Sequence, residues 1–331
     1  MSEEKEQKNS IPEKKDQKVK VLIRLIISVV AFVALIKYGK VDIGEALSHL
    51  LTVNPLYFFL AYVFFTLTIC FSGIRFFIAS KALGFRKNLW QCVQLNFVGT
   101  FFNNFLPTTF GGDALRGYYL KSGTDIPVSR AAGCLLCERY TGMVVLFWMC
   151  SLTFLFRDLG FIDESLWNVR HEMAYFTYAC TLGSIFVVPF IPKIKSAIFG
   201  EESWVYKKFV EPVIIFWNDR KLIGRIFVFS FLLQSCVVMS HYFVAQSLGL
   251  EIPLSYYLIF YPLTTIAGFL IPSLNGLGVR EGAYIYFLSQ IGIGSEEGLA
   301  FSVGFLIILL VSSVVGGLVY LFGDFRENMP H

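Results

Sequence analysis

NNFLPTTFGGDALRGYYL, residues 103–120, interrupts a chain that is otherwise mostly Phe, Leu, Val and Ile. It places Pro107, the adjacent Gly111 and Gly112, Asp113 and Arg116 directly behind an apolar segment. Pro107 removes a backbone donor and pushes Leu106 out of helical dihedrals, so the incoming helix ends there. Gly111 and Gly112 permit close approach and unusual dihedrals. Asp113 is placed to cap the next short helix or to sit in its first turn, and Arg116 follows on the same face about one turn later. Irregular backbone at membrane depth is tolerated only where it is packed in protein or lines a wet cavity. A helix that restarts there points free N–H groups into the cavity, a ready anion site. The competing reading is a membrane turn with a snorkelling arginine that binds nothing.

Composition sets the surroundings. Of 331 residues, 55% are hydrophobic, 17% are aromatic and 35 are Phe. Charged residues make up 16%, against about 25% in soluble proteins. With a mean hydropathy of +0.62, this is an all-α, polytopic membrane helix bundle. The net charge of +4 carries no nucleic-acid reading, because the basic residues lie beside apolar segments. The seven Cys lie in or next to expected spans, and the four His are scattered. Cys134 and Cys137 have a redox spacing without a βαβ pattern around them, so no metal or cofactor is expected.

Residues 1–20 are charged and nearly free of apolar side chains, and read as a disordered cytoplasmic tail. Residues 21–322 form a single transmembrane domain, and 323–331 a second cytoplasmic tail. The first apolar run has the basic front of a signal peptide but no small-x-small cleavage site, so it is read as a retained span. Full crossings are expected at about 21–38, 55–80, 131–156, 173–191, 225–248 and 299–322. Segments 89–120 and 254–290 differ, because each runs into a Pro and a glycine-rich turn before a short helix.

Loop charge decides how these two are placed. Loops 81–88 and 193–224 are basic, whereas 157–172 carries Asp158, Asp163, Glu164 and Glu172. The positive-inside rule puts the basic loops and the N-terminus in the cytoplasm. That assignment holds only if 89–120 and 254–290 are re-entrant helical hairpins, entering from opposite sides. An inverted repeat follows, with a span, hairpin and span in each half. The hairpin tips, FLPTTFGGDALRG at 105–117 and LIPSLNGLGVREG at 270–282, resemble each other. Tips of this kind near the midplane mark a transporter's binding site.

In the second tip Gly276 and Gly278 make the turn, and Arg280 and Glu281 begin the helix. Arg280 would be an anion fork and Glu281 its partner or a dipole mate; a structural salt bridge is the rival reading. Glu138 and Arg139 lie inside span 131–156, where each charge costs ~2.5–3.5 kcal/mol to insert. Adjacent residues point about 100° apart on a helix, so each should find a partner elsewhere, among Asp113, Arg116 and Arg280. Asn96, Asn103 and Asn104 either line the first hairpin's cavity or bond across helices. Gln234 and His241 read as helix–helix glue, and Arg75 as a snorkelling anchor. Lys87 reads as exposed, and 201–221 as an interfacial amphipathic helix.

NNFLPTTFGGDALRGYYL, ERYTG and LIPSLNGLGVREGAYIYFL, in this order and spacing, resemble the lysylphosphatidylglycerol synthase transmembrane region, a flippase-like membrane family. The resemblance covers nearly all the chain after residue 20. It implies that Asn104, Pro107, Gly112, Asp113, Arg116, Glu138, Arg139, Gly276, Gly278, Arg280 and Glu281 are motif residues; Gly111 joins them on its own chemistry. It also implies a stand-alone member, without the cytoplasmic aminoacyl-transferase domain of the bifunctional members.

The function expected is a lipid translocase of the cytoplasmic membrane. It would move an anionic, aminoacylated or polyisoprenoid-phosphate-linked lipid between leaflets, its phosphate headgroup neutralised by Arg116, Arg139 or Arg280. No G-x-x-x-x-G-K-[ST] motif occurs, so transport is passive or ion-coupled. The alternatives are an intramembrane transferase with Asp113 or Glu138 as general base, and a scaffold for an envelope-lipid synthesis complex. A homo-oligomer or a lipid-modifying enzyme would be the protein partner.

Overall fold

The computed structural model describes residues 42–105, 111–155, 174–183, 216, 219–270 and 278–326. All regular structure among them is helical. The tail at 1–20, the span at 21–38 and the charged loops 157–172 and 193–215 lie outside the described residues. So do Pro107, Pro272 and Gly276. Of the expected span at 173–191, residues 174–183 are described and helical.

Among the described residues four helices are long and apolar enough to cross a membrane: α2 (Pro55–Ala82), α5 (Val128–Leu155), α6 (Arg220–Ser247) and α9 (Ser295–Phe322). Between them lie α3 (Leu89–Phe105), α4 (Gly111–Lys121), α7 (Leu254–Leu270) and α8 (Val279–Ser289). A short helix, α1 (Ile43–Leu51), precedes α2 and packs on α9; the sequence reading passed over it. Asp42 caps α1 by accepting from the Gly44 and Glu45 amides.

The two halves match element by element. Helices α2 to α5 have 28, 17, 11 and 28 residues, and α6 to α9 have 28, 17, 11 and 28. Packing matches as well. Helix α3 lies on α9 as α7 lies on α5, and the pairs α3–α4 and α4–α5 recur as α7–α8 and α8–α9.

The broadest helix contact joins α2 to α6. The Asn54 amide donates to the Ser247 carbonyl at 2.8 Å, Ser240 Oγ to the Ala61 carbonyl at 2.9 Å, and Thr68 Oγ1 to the Leu233 carbonyl at 3.5 Å. One residue number rises in sevens as the other falls, so the first helices of the two halves run antiparallel. Small and hydroxyl residues at such crossings let membrane helices approach closely.

Among the described residues the two larger buried apolar clusters flank a group of buried charges. One gathers Tyr256, Tyr257, Phe260, Tyr284 and Phe301. The other gathers Phe76, Leu83, Leu95, Leu120 and Phe325, and includes Phe216 from the segment expected to be interfacial. Phe325 sits in a 3-10 turn, Asp324–Arg326, tucked under the start of α3. Lys87, expected to be exposed, is buried there and donates from Nζ to the Phe325 carbonyl at 2.8 Å. A carbonyl at the end of a short turn is an orphan acceptor, and the ammonium satisfies it.

Candidate functional site

The buried charges form a network. Glu138, only 3% exposed, accepts from Arg116 Nη2 at 2.6 Å on one carboxylate oxygen, while Arg75 Nε lies 3.5 Å from the other. Asp113 receives Arg116 Nη1 at 3.3 Å on one oxygen and Arg139 through Nε at 2.9 Å and Nη2 at 2.6 Å on the other. Glu138 and Arg139 thus pair with different partners, as their angular separation on α5 requires. From Val128 to Arg139 the helix advances eleven residues, ~16 Å at 1.5 Å each. The whole helix of 28 residues is ~42 Å long, so both charges lie within it and not at an end.

Backbone crossings place these groups. The Gly112 amide donates to Asn103 Oδ1 at 3.0 Å, tying the start of α4 to the end of α3. A Cβ on Gly112 would stand 2.1 Å from the Gly99 carbonyl, and one on Gly99 would stand 2.5 Å from Arg116 Cδ. Only two glycines let α4 lie this close while Arg116 runs past α3 towards Glu138. The Arg116 guanidinium then sits 4.3 Å from the Phe76 ring centroid, a cation–π contact that steadies its plane.

The network lines a cavity of about 320 Å³ between α2, α3, α4, α5, α6 and α7. Arg75, Arg116 and Arg139 face Asp113 and Glu138 across it, which leaves one positive charge in excess. Arg116 Nε and Glu138 Oε1 are buried without a hydrogen-bond partner among the described residues. The Arg139 side chain is 47% exposed, the most accessible of the three cations. Gln234 closes one wall: its amide donates to the Gly142 carbonyl at 3.1 Å and accepts from the Tyr261 hydroxyl at 3.1 Å.

The structure therefore brings Gly112, Asp113, Arg116, Glu138 and Arg139 together, with Gly111 opening α4 beside them. Asn96 and Asn103 line the same cavity, whereas Asn104 turns away and donates to Ser313 on α9. The second tip stands apart. Gly278, at φ 82°, precedes α8, and its amide donates to Glu281 Oε2 at 2.5 Å. Arg280 Nη2 lies 3.7 Å from Glu281 Oε1, and the guanidinium 5.9 Å from the Phe305 ring. Arg280 is not part of the cavity lining. His241 serves as glue: Nε2 pairs with the Tyr284 hydroxyl at 2.7 Å, and the ring stacks on Phe305.

Arg75 is the residue that sequence reasoning misplaced. It does not snorkel; at 6% exposure it donates to Ser230 Oγ at 3.0 Å and faces Glu138. A signal was present, because Ala61, Thr68 and Arg75 recur every seven residues on the buried face of α2. Gln234 and Tyr261 were also missed as cavity walls; a Gln or Tyr on an apolar helix gives no cue to which neighbour it meets.

A bundle of long apolar helices with buried charges around an internal cavity defines an integral membrane protein with a polar site among its helices. The chain belongs to the family described as the lysylphosphatidylglycerol synthase TM region, which it matches over residues 21–317. It is also similar to a UPF0104 membrane protein of Methanocaldococcus jannaschii, with 32% identity over 121 residues. That stretch covers 36% of this chain and 35% of the relative.

Proposed function

We propose that this protein is a lipid translocase whose headgroup site is the arginine-lined cavity. One observation carries the reading: three arginines meet two carboxylates around a cavity inside a bundle of apolar helices, leaving one positive charge, and Arg139 is the accessible cation among them. Buried intramembrane charges are costly, so a cluster of five that merely neutralised itself would need no excess cation and no accessible arm. A lipid phosphate matches both features, since arginine forks bind phosphate oxygens in pairs. The acyl chains would remain in the bilayer.

Matched element lengths, matched packing and antiparallel first helices support an inverted repeat with re-entrant hairpins at α3–α4 and α7–α8. Rocking one half against the other would open the cavity to each leaflet in turn. By the positive-inside rule the α2–α3 loop faces the cytoplasm, as does the N-terminus. Asp113, Glu138 and Glu281 are the acids through which an ion would couple.

The test is reconstitution of the purified protein into vesicles containing headgroup-labelled phosphatidylglycerol. Exchange between leaflets is read by quenching the outer label. The expected result is exchange above protein-free vesicles, with the extracted lipid unchanged in mass. A covalently altered lipid would replace the translocase reading with an intramembrane transferase. Neither exchange nor product would leave the scaffold reading.

A further inference from the structure

A groove of about 590 Å³ runs between α4 and α5 beneath the cavity. Ala114, Gly117 and Lys121 form its α4 wall, and Ala131, Ala132 and Leu135 its α5 wall. With Tyr118 on α4 and Val128 on α5, which also line it, each set follows the pattern i, i+3, i+4, i+7 and so lies on one face of its helix. The turn at Ser122, Gly123 and Thr124 closes the base. Small residues facing each other normally draw two membrane helices into contact, yet here space remains. Leu135 is the wedge: a Cβ on Gly117 would already meet Leu135 Cδ1 at 3.2 Å.

Leu135 also lines the cavity above, so the groove and the cavity share it as a common wall. Above Leu135 stand Arg116 and Glu138, more than nine-tenths buried, with Arg116 Nε and Glu138 Oε1 unbonded among the described residues. Below it stands Lys121, half-buried at the base. The groove therefore has a cation at its foot and the half-exposed Arg139 one helical turn above its top.

We propose that this groove is the route by which a lipid's phosphate headgroup passes between the membrane surface and the cavity, with Leu135 as the gate. The proposal rests on the translocase reading. An acyl chain does not match the ends of the groove, because it gains nothing from Lys121 below or Arg139 above. A phosphate leaves one cation and arrives at another, and small side chains leave room for it beside the helices. Acyl chains would trail outward through the open side.

The experiment uses the full chain in vesicles with headgroup-labelled phosphatidylglycerol. Gly117→Leu and Ala132→Leu narrow the groove from opposite walls without touching the charge network. Each is expected to slow leaflet exchange about tenfold or more, the change produced by ~1.4 kcal/mol on a barrier. Gly117→Ala presses on Leu135 and should slow exchange less; Leu135→Ala in that background should restore the rate. Because Leu135→Ala also relieves the overpacking, each variant's folding is checked by gel filtration and thermal unfolding, and the rescue counts only where Gly117→Ala is itself folded. Wild-type exchange together with unchanged rates in well-folded Gly117→Leu and Ala132→Leu overturns the groove and leaves the translocase reading standing. Absence of exchange in the wild type overturns both. A photocrosslinker at position 132 supplies a separate readout. It should capture the labelled headgroup more than one at Leu136, which is 45% exposed; capture of acyl chains alone at both positions overturns the proposal.

Discussion

Glu138→Gln removes one charge from the centre of the network and almost no volume. The carboxylate is 3% exposed and faces two guanidiniums, Arg116 at 2.6 Å and Arg75 at 3.5 Å. Arg116 retains Asp113 at 3.3 Å, but Arg75 keeps only the neutral hydroxyl of Ser230 among its described polar contacts. Breaking a buried ion pair by removing one partner costs about 3–5 kcal/mol, because the remaining charge stays buried and uncompensated. At ~2–4 °C per kcal/mol for a chain of this order of size, the melting temperature should fall by on the order of 10 °C. Most of that penalty belongs to Arg75, so Arg75→Met in the Glu138→Gln background should recover a large part of it. The assay is thermal unfolding in nanodiscs, followed by tryptophan fluorescence, for the wild type, both single variants and the double variant. A Glu138→Gln protein that melts with the wild type, or a double variant no more stable than Glu138→Gln, would refute the coupling.

Gly112→Ala should destabilise by about 1–3 kcal/mol through overpacking, because its Cβ meets the Gly99 carbonyl at 2.1 Å. Gly99→Ala meets only the flexible Arg116 side chain first, so its melting temperature should drop less; the reverse order would contradict the α3–α4 crossing. Lys87→Met should free the 3-10 turn by removing a charged hydrogen bond worth about 1.5–3 kcal/mol. Faster hydrogen exchange at residues 324–326 is the readout, and unchanged protection would mean that Phe325 alone holds the turn. Single cysteines in a cysteine-free background should label from outside at position 164 and from the cytoplasm at position 86; the opposite result would invert the topology.

Much of the fold was legible because bilayer physics is restrictive. Length and apolarity located the long apolar helices α2, α5, α6 and α9 within a few residues, and Gly-Gly located the start of α4. The Glu138–Arg116 pairing was legible for a related reason: an intramembrane carboxylate needs a cation, and few were in reach. The cation on the other side, Arg75, was hidden by its place near a span end, where snorkelling is the ordinary outcome. Buried Lys87 was hidden because its partner is a backbone carbonyl more than two hundred residues later, invisible to any local pattern. The similar tip sequences suggested one shared site, but similar sequence is not proximity: Arg116 lines the cavity and Arg280 lies against Glu281 and Phe305.

The central claim is that cavity arginines hold a lipid phosphate during its passage, and Arg139 is where that claim is most exposed. Its side chain is nearly half accessible, so Arg139→Ala should leave the protein folded, with Asp113 still held by Arg116. Losing a charged hydrogen bond worth about 1.5–3 kcal/mol lowers affinity roughly tenfold to a hundredfold. Leaflet exchange of headgroup-labelled phosphatidylglycerol by Arg139→Ala should fall by a similar factor, and Arg139→Lys should recover it only in part, since lysine lacks the planar fork. A well-folded Arg139→Ala protein that exchanges lipid at the wild-type rate would contradict the account.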